Sequence, residues 1–423
     1  MRRVVIVVCS LLAWSCGNDD DYGPPPTCLA GEEGLGRWEY LPAPHYERNL
    51  VDPQGTGPLA PNRGTLVWTG THVLMWGKDQ GASLDPAAAP ADRWKPLPTE
   101  NGPGERSDSP VSVWTGTHWI VWGGEWRPPP GDELVPRSDG AMYDPEAGTW
   151  EQLPTDGAPR SAEMQGGSVF RGEREAAVWT GSEMLLWTIT ENDAGECLHQ
   201  GALYDPEVKR WRSMGLAGSP FQESWSVRST DLGMRYCPSS RRGPLVWTGR
   251  ELIVWAYDVA DRSRIHAGLY NPETDSWRPL NLEGGLLPRY DAFAAWTGSE
   301  LLVWGGSVRS GGQDPRYVVT GALYDPDTEV WRPISAMNAP SGAYAARWSV
   351  WTGQDLLVRP GESGCPVGAR YNLETDTWSA MARSPSEFYR RDTTTVLWAG
   401  SAMLIWGGVG HHATFFDGAL YYP

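Results

Sequence analysis

Apolar positions along this chain fall in short runs that come in pairs, split by a few Thr, Ser or Gly residues, as in "LVWTGTHVLMWG", "SVWTGTHWIVWGG" and "AAWTGSELLVWGG". Two β-prone runs around a short glycine-containing turn predict a β-hairpin. The pattern recurs seven times, with Trp-Thr-Gly or a near-equivalent starting at Trp68, Trp114, Trp179, Trp247, Trp296, Trp351 and Trp398. In six of the seven copies a second tryptophan follows eight residues later; in the sixth copy Arg359 stands there. A turn centred on Gly70 puts Trp68 and Trp76 on one side of the hairpin, and a turn centred between Gly70 and Thr71 puts them on opposite sides. The sequence leaves both open.

Each hairpin is followed by a second pair of runs, such as "GALYDPEVKRW" or "AGLYNPETDSW", whose Asp-Pro or Asn-Pro marks a tight turn because proline presets φ. Each unit therefore reads as four short antiparallel strands, A to D. The spacing of about 46 to 68 residues between starts suits one propeller blade. The last unit stops at "GALYYP" without a fourth strand, while an orphan "RWEYLP" at Arg37 to Pro42 precedes the first hairpin. If Trp38 supplies strand D to the blade begun at Trp398, no sheet edge stays open. The expected fold is an all-β, seven-bladed β-propeller of four-stranded antiparallel blades over residues 37–423, closed by the N-terminal strand joining the last blade.

Strand B ends in Gly-Gly at Gly123-Gly124, Gly305-Gly306 and Gly407-Gly408, with a tyrosine and then a tryptophan further on, while Gly77-Lys78, Thr188, Ala256 and Arg359 depart from this. On these residues the chain resembles the bacterial kelch-repeat family. The resemblance implies a fold, since kelch propellers serve as binding modules and as enzymes alike. Galactose oxidase, a kelch enzyme, uses histidine and tyrosine copper ligands; no local pattern here specifies such a set.

Composition sharpens the picture in three places. Of 25 tryptophans, 20 occupy the three repeat positions, which marks them as core. The net charge of -17 excludes the concentrated basic surface a nucleic-acid binder needs. Residues 1–16 carry two arginines, an apolar run too short to span a bilayer, and small residues before Cys16. They read as a signal peptide of lipoprotein type, with Cys16 acylated, and residues 17–36 as an acidic, proline-rich tether. The protein is thus expected in the bacterial cell envelope, periplasmic or on the outer surface, and held at the membrane through its N-terminal lipid only.

Cys28, Cys197, Cys237 and Cys365 remain after processing, and an even count in an exported chain suggests disulfides. Cys197, placed in the B–C loop of the third blade, and Cys237, in the crossover leaving it, are expected to pair; a Cys28–Cys365 pair follows only by default.

A–B and C–D turns share one rim of the ring, and B–C loops and D–A crossovers the other. Length variation falls on the second, in Gly123 to Gly140, Pro154 to Glu175 and Ser213 to Gly243. An arginine precedes nearly every strand A on that rim: Arg63, Arg106, Arg174, Arg242, Arg289, Arg347 and Arg390 or Arg391. Two readings stand side by side. Converging guanidinium forks would grip carboxylates or phosphates; alternatively each arginine pairs with an acid of the neighbouring blade and braces the ring.

His199, His266, His411 and His412 lie on the loop-rich rim and His72 and His118 on the other, in no pattern that specifies a metal. "GESGC" at Gly361 to Cys365 only approaches a nucleophile elbow, and no helix follows it. The sequence therefore reads as a monomeric, membrane-tethered, non-catalytic binding module for a protein, acidic peptide or anionic glycan, with no cofactor. The alternative is an extracytoplasmic carbohydrate-active enzyme resembling N-acetylneuraminate epimerase, or a copper enzyme like galactose oxidase.

Overall fold

The structure is a computed structural model. It describes residues 34–42, 64–106, 110–126, 135–159, 175–191, 197–221, 227–228, 235–236, 245–257, 265–286, 289–308, 316–340, 345–359, 367–385, 391, 394–408 and 415–423. Cys16, Cys28, Cys237, Cys365, His411, His412 and the "GESGC" segment lie outside them.

Seven four-stranded antiparallel sheets follow one another along the chain. Strands A to D are Thr65–Trp68, Val73–Gly77, Gln80–Leu84 and Trp94–Pro96 in blade 1, and Val111–Trp114, Trp119–Trp122, Gly140–Asp144 and Thr149–Gln152 in blade 2. Blade 3 has Glu175–Trp179, Met184–Glu191, Cys197–Asp205 and Arg210–Ser213; blade 4 has Leu245–Trp247, Leu252–Tyr257, Ile265–Asn271 and Ser276–Pro279. Blade 5 has Phe293–Trp296, Leu301–Trp304, Gly321–Asp325 and Val330–Pro333; blade 6 has Ser349–Trp351, Asp355–Val358, Val367–Asn372 and Thr377–Arg383. Blade 7 takes strands A to C from Thr395–Trp398, Met403–Trp406 and Gly418–Tyr422, and strand D from Arg37–Leu41. That fourth strand pairs antiparallel with Gly418–Tyr422, so the two ends of the ring zip together as expected. Cys197 proves to be the first residue of an extended strand C rather than a loop residue, because strands B and C of blade 3 keep pairing as far as Glu191 and Cys197.

The turns explain the most repeated text. In blade 5 the Thr297 hydroxyl accepts from the amides of Ser299 (3.4 Å) and Glu300 (3.0 Å) and donates to the Glu300 carbonyl (3.0 Å). Thr69, Thr115, Thr180, Thr248 and Thr352 hold the same kind of turn. The glycine that follows takes φ of 111° at Gly298, a left-handed value that a side chain disfavours. Trp68 pairs with Val73 and Thr65 with Trp76, so the turn is centred between Gly70 and Thr71, and Trp68 and Trp76 lie on opposite faces.

That alternation builds the core between blades. Trp68 joins the cluster shared with blade 7, and Trp76 the cluster shared with blade 2. Buried apolar clusters bridge all seven blade boundaries. At six of them the strand B tryptophan packs on the strand D tryptophan of the next blade. These pairs are Trp76–Trp150, Trp122–Trp211, Trp187–Trp277, Trp255–Trp331, Trp304–Trp378 and Trp406–Trp94, with ring centroids 4.6 to 6.1 Å apart. The strand D indole N–H also reaches back to a carbonyl of the segment leaving the preceding blade, as in Trp150 to Pro98 (2.9 Å) and Trp211 to Pro154 (2.8 Å). Each buried indole of this kind contributes through its area and its hydrogen bond together.

Candidate functional site

The rim of B–C loops and D–A crossovers carries structure that the blades do not need. Among the described residues three two-stranded hairpins are added there. Glu125–Trp126 pairs with Val135–Pro136 and Ser307–Val308 with Arg316–Tyr317, both between strands B and C. Val227–Arg228 pairs with Arg235–Tyr236 in the crossover from blade 3 to blade 4.

Three of the arginines expected on this rim have described side chains, and they lie beneath it. Arg106, Arg289 and Arg391 are 0%, 3% and 1% exposed, which removes them from a solvent-facing ring of charge. Arg289 donates through Nη1 to the carbonyls of Gly305 (3.1 Å) and Thr320 (2.8 Å). Arg391 donates to the carbonyl of Gly407 (3.3 Å) and to Asp417 Oδ1 (2.6 Å) and Oδ2 (3.1 Å), with its guanidinium 3.9 Å from the Phe415 ring centre. Arg106 donates to Asp139 Oδ1 (2.8 Å). Asp139, Thr320 and Asp417 all stand one residue before strand C of the arginine's own blade. The carboxylates named here, Asp139 and Asp417, belong to the arginine's own blade.

These three blades are the ones in which strand B ends in Gly-Gly. Both glycines of each pair have positive φ, for example 71° at Gly305 and 85° at Gly306. The turned backbone brings the first glycine's carbonyl onto the guanidinium in blades 5 and 7. A Cβ on Gly306 would meet the Tyr290 carbonyl at 2.5 Å, so glycine is needed there. In blades 5 and 7 the arginine and the Gly-Gly pair work together, and both residue types stand in the sequence there.

Arg63, Arg174, Arg242 and Arg390 lie outside the described residues. Arg347 falls in a 3₁₀ turn, Ala345–Trp348, and its side chain is likewise outside them. Arg359, which replaces the strand B tryptophan of blade 6, is 2% exposed, lies 4.3 Å from the centre of the Trp348 ring and donates to the Arg391 carbonyl.

Above Arg106 the first hairpin gathers a polar and aromatic patch. Arg137 grips Asp139 through Nε (3.0 Å) and Nη2 (2.6 Å), so Asp139 receives two guanidiniums. Arg137 also faces the Trp126 ring at 5.8 Å, and Trp126 Nε1 donates to Glu105 (3.2 Å). Arg137 and Asp139 remain about one-third exposed, at 29% and 31%.

The histidines separate. His199 stacks on Trp187 (5.4 Å between ring centres) beside Phe221 (5.0 Å). Burial, with the nearby His266, pushes its pKa down to about 4, which keeps the ring neutral. His72 and His118 lie on the opposite rim beside Asp85 and Asp144, each at 3.8 Å. Among the described residues no group of three or more His, Cys, Asp or Glu side chains is placed to hold a metal ion. No helix among them is long and apolar enough to cross a membrane.

Comparison with known proteins adds little. No family model matches the chain, and no curated protein does. Many solved structures are similar; one of them, described as that of YjhT, covers 86% of this chain and 95% of its own, at 13% identity and a TM-score of 0.47. The seven-bladed ring stands on the chain's own sheets, and the chemistry of its rims has to be read from its own residues.

Proposed function

We propose that the protein is an extracytoplasmic, membrane-tethered propeller of kelch-repeat type that binds a protein, peptide or glycan on its loop-rich rim. The observation that carries this reading is the placing of the three described hairpins on one rim of an otherwise regular ring. A rigid scaffold that varies on one side is the usual layout of a recognition surface. The patch of Trp126, Arg137 and Asp139 supplies an aromatic ring, donors and an acceptor within it. Tethering rests on the segment ending at Cys16 and exposes that rim to partners in the envelope.

The test is a glycan array and a cross-linking experiment on envelope extract, run with the full chain and with a variant in which the segment joining Trp126 to Val135 is replaced by a two-residue turn. The reading expects a partner that is captured without turnover and lost in the variant at unchanged melting temperature. A partner held equally well by the variant, or a chemical product released from it, would count against this reading.

A further inference from the structure

The opposite rim, built from A–B and C–D turns, carries a cleft of about 270 Å³ between blades 3 and 4. Its polar walls are Ser182, Glu183, Arg212, Arg250 and Glu273, and Trp247 lines it as the one aromatic ring. We propose that this cleft binds a single neutral sugar ring of a glycan. It is a second site, on the other rim from the one proposed above, and it stands or falls separately.

Glu183 and Arg212 are held to each other by two parallel hydrogen bonds, Nε to Oε1 (2.8 Å) and Nη2 to Oε2 (2.7 Å), and Nη2 also reaches the Pro272 carbonyl of blade 4 (3.2 Å). That fixes a planar row of donors beside a row of acceptors before any ligand arrives. A carboxylate has about four lone-pair sites and a guanidinium five N–H groups, so the pair retains capacity of both kinds. Neighbouring hydroxyls of a sugar, each donor and acceptor at once, complement such a row. The half-buried Trp247 indole gives the apolar C–H face of the ring a surface to stack on.

Charge and size narrow the ligand further. Arg212 and Arg250 are balanced by Glu183 and Glu273, so a charged ligand gains no net Coulomb attraction from these four groups, whereas a neutral polyol loses nothing. The volume lies just under the ~300–1,000 Å³ of ordinary small-molecule clefts, which suits one ring.

The next blade boundary repeats the parts with a difference. Glu251 and Arg278 are paired in the same way (2.9 and 2.8 Å), with Trp296 in the place of Trp247. There Glu329 takes Arg278 Nη1 (3.2 Å) and sets a second carboxylate across the groove. Between blades 3 and 4 the corresponding residue, Asp275, is instead turned onto the Tyr270 hydroxyl (2.6 Å) and the Gly215 amide (2.8 Å). Between blades 5 and 6 Asp376 is turned as Asp275 is, onto the Tyr371 hydroxyl (2.7 Å) and the Ser335 amide (2.7 Å), so Glu329 is the departure from the repeat and sets its carboxylate where the boundary of blades 3 and 4 has none.

Saturation-transfer NMR of the full chain against a panel of neutral aldohexoses, 6-deoxyhexoses and N-acetylhexosamines tests the proposal. At least one sugar is expected to bind saturably. Glu183→Gln should weaken it about tenfold or more, the loss typical of a hydrogen bond to a charged group. Arg250→Ala and Glu273→Gln, at exposed positions that should leave the melting curve in place, should each weaken it several-fold, and Arg278→Lys should not. No binding by any member of the panel overturns the proposal. So does a bound sugar indifferent to the Arg250 and Glu273 substitutions, or a cleft that accepts only acidic sugars.

Discussion

The two rims of this ring treat repetition in opposite ways. On the tight-turn rim six threonines close six A–B turns by the same hydrogen bonds, and acid–arginine pairs recur at Glu183–Arg212, Glu251–Arg278 and Glu300–Arg332. On the loop-rich rim Arg106, Arg289 and Arg391 sink below the surface, and hairpins differing from blade to blade are added between the blades. The threonine turns and these buried arginines serve the frame. On the loop-rich rim what departs from the repeat, the added hairpins, is where recognition is proposed; on the tight-turn rim the cleft proposed for a sugar is built from a repeated pair, Glu183–Arg212, beside Trp247.

That contrast can be broken at several levels. The largest effect is expected in the frame itself. Trp304→Ala removes a 1% exposed indole packed on Trp378 and should cost about 3–5 kcal/mol in denaturant unfolding. Trp247→Ala, at a half-buried position, should cost clearly less; equal costs would erase the distinction between the two tryptophan positions.

A pH experiment comes next. The His199 pKa is depressed to about 4 from an unfolded value near 6.5, so the unfolded chain takes up its proton first as pH falls. Stability from this group is complete above about pH 6.5 and drains away towards pH 4, by about 3 kcal/mol in all. His199→Phe should flatten that part of the stability profile; an unchanged slope would show that another group causes it.

Two smaller changes probe the hydrogen bonds. Trp150→Phe keeps most of the packing but strands the Pro98 carbonyl, and about 1–2 kcal/mol should be lost in the same unfolding measurement. Thr297→Val removes the hydroxyl of one A–B turn and should cost about 1 kcal/mol. A loss as large as that of Trp304→Ala would mean that the turns, not the tryptophan pairs, hold the blades.

The frame was legible because its parts repeat. Tryptophan spacing, turn residues and the orphan strand around Trp38 gave blade number, strand order and closure, since one rule of alternation applies seven times over. The faces of Trp68 and Trp76 were not legible, because they depend on where the turn centres, half a residue either way. The arginines show a different limit. The sequence lines the arginines up on one rim without giving their depth, which for Arg289 and Arg391 goes with contacts to Gly305, Thr320, Gly407 and Asp417, all far along the chain from the arginine. The cleft between blades 3 and 4 was missed for a related reason. It is formed by side chains of two blades, Glu183 and Arg212 of blade 3 and Trp247, Arg250 and Glu273 of blade 4, whose approach spacing along the chain does not show.

Arg391 decides most directly whether the buried arginines belong to the frame or to a ligand. Its substitution to methionine leaves Asp417 without the charge that grips both its oxygens, a loss of about 3–5 kcal/mol for a buried pair. The measurement is the melting temperature of the Arg391→Met chain beside its binding on the glycan array. The account predicts a clear fall in melting temperature, with whatever the folded protein binds still bound below it. An unchanged melting temperature together with lost binding would contradict it, and would return the arginines to the binding surface.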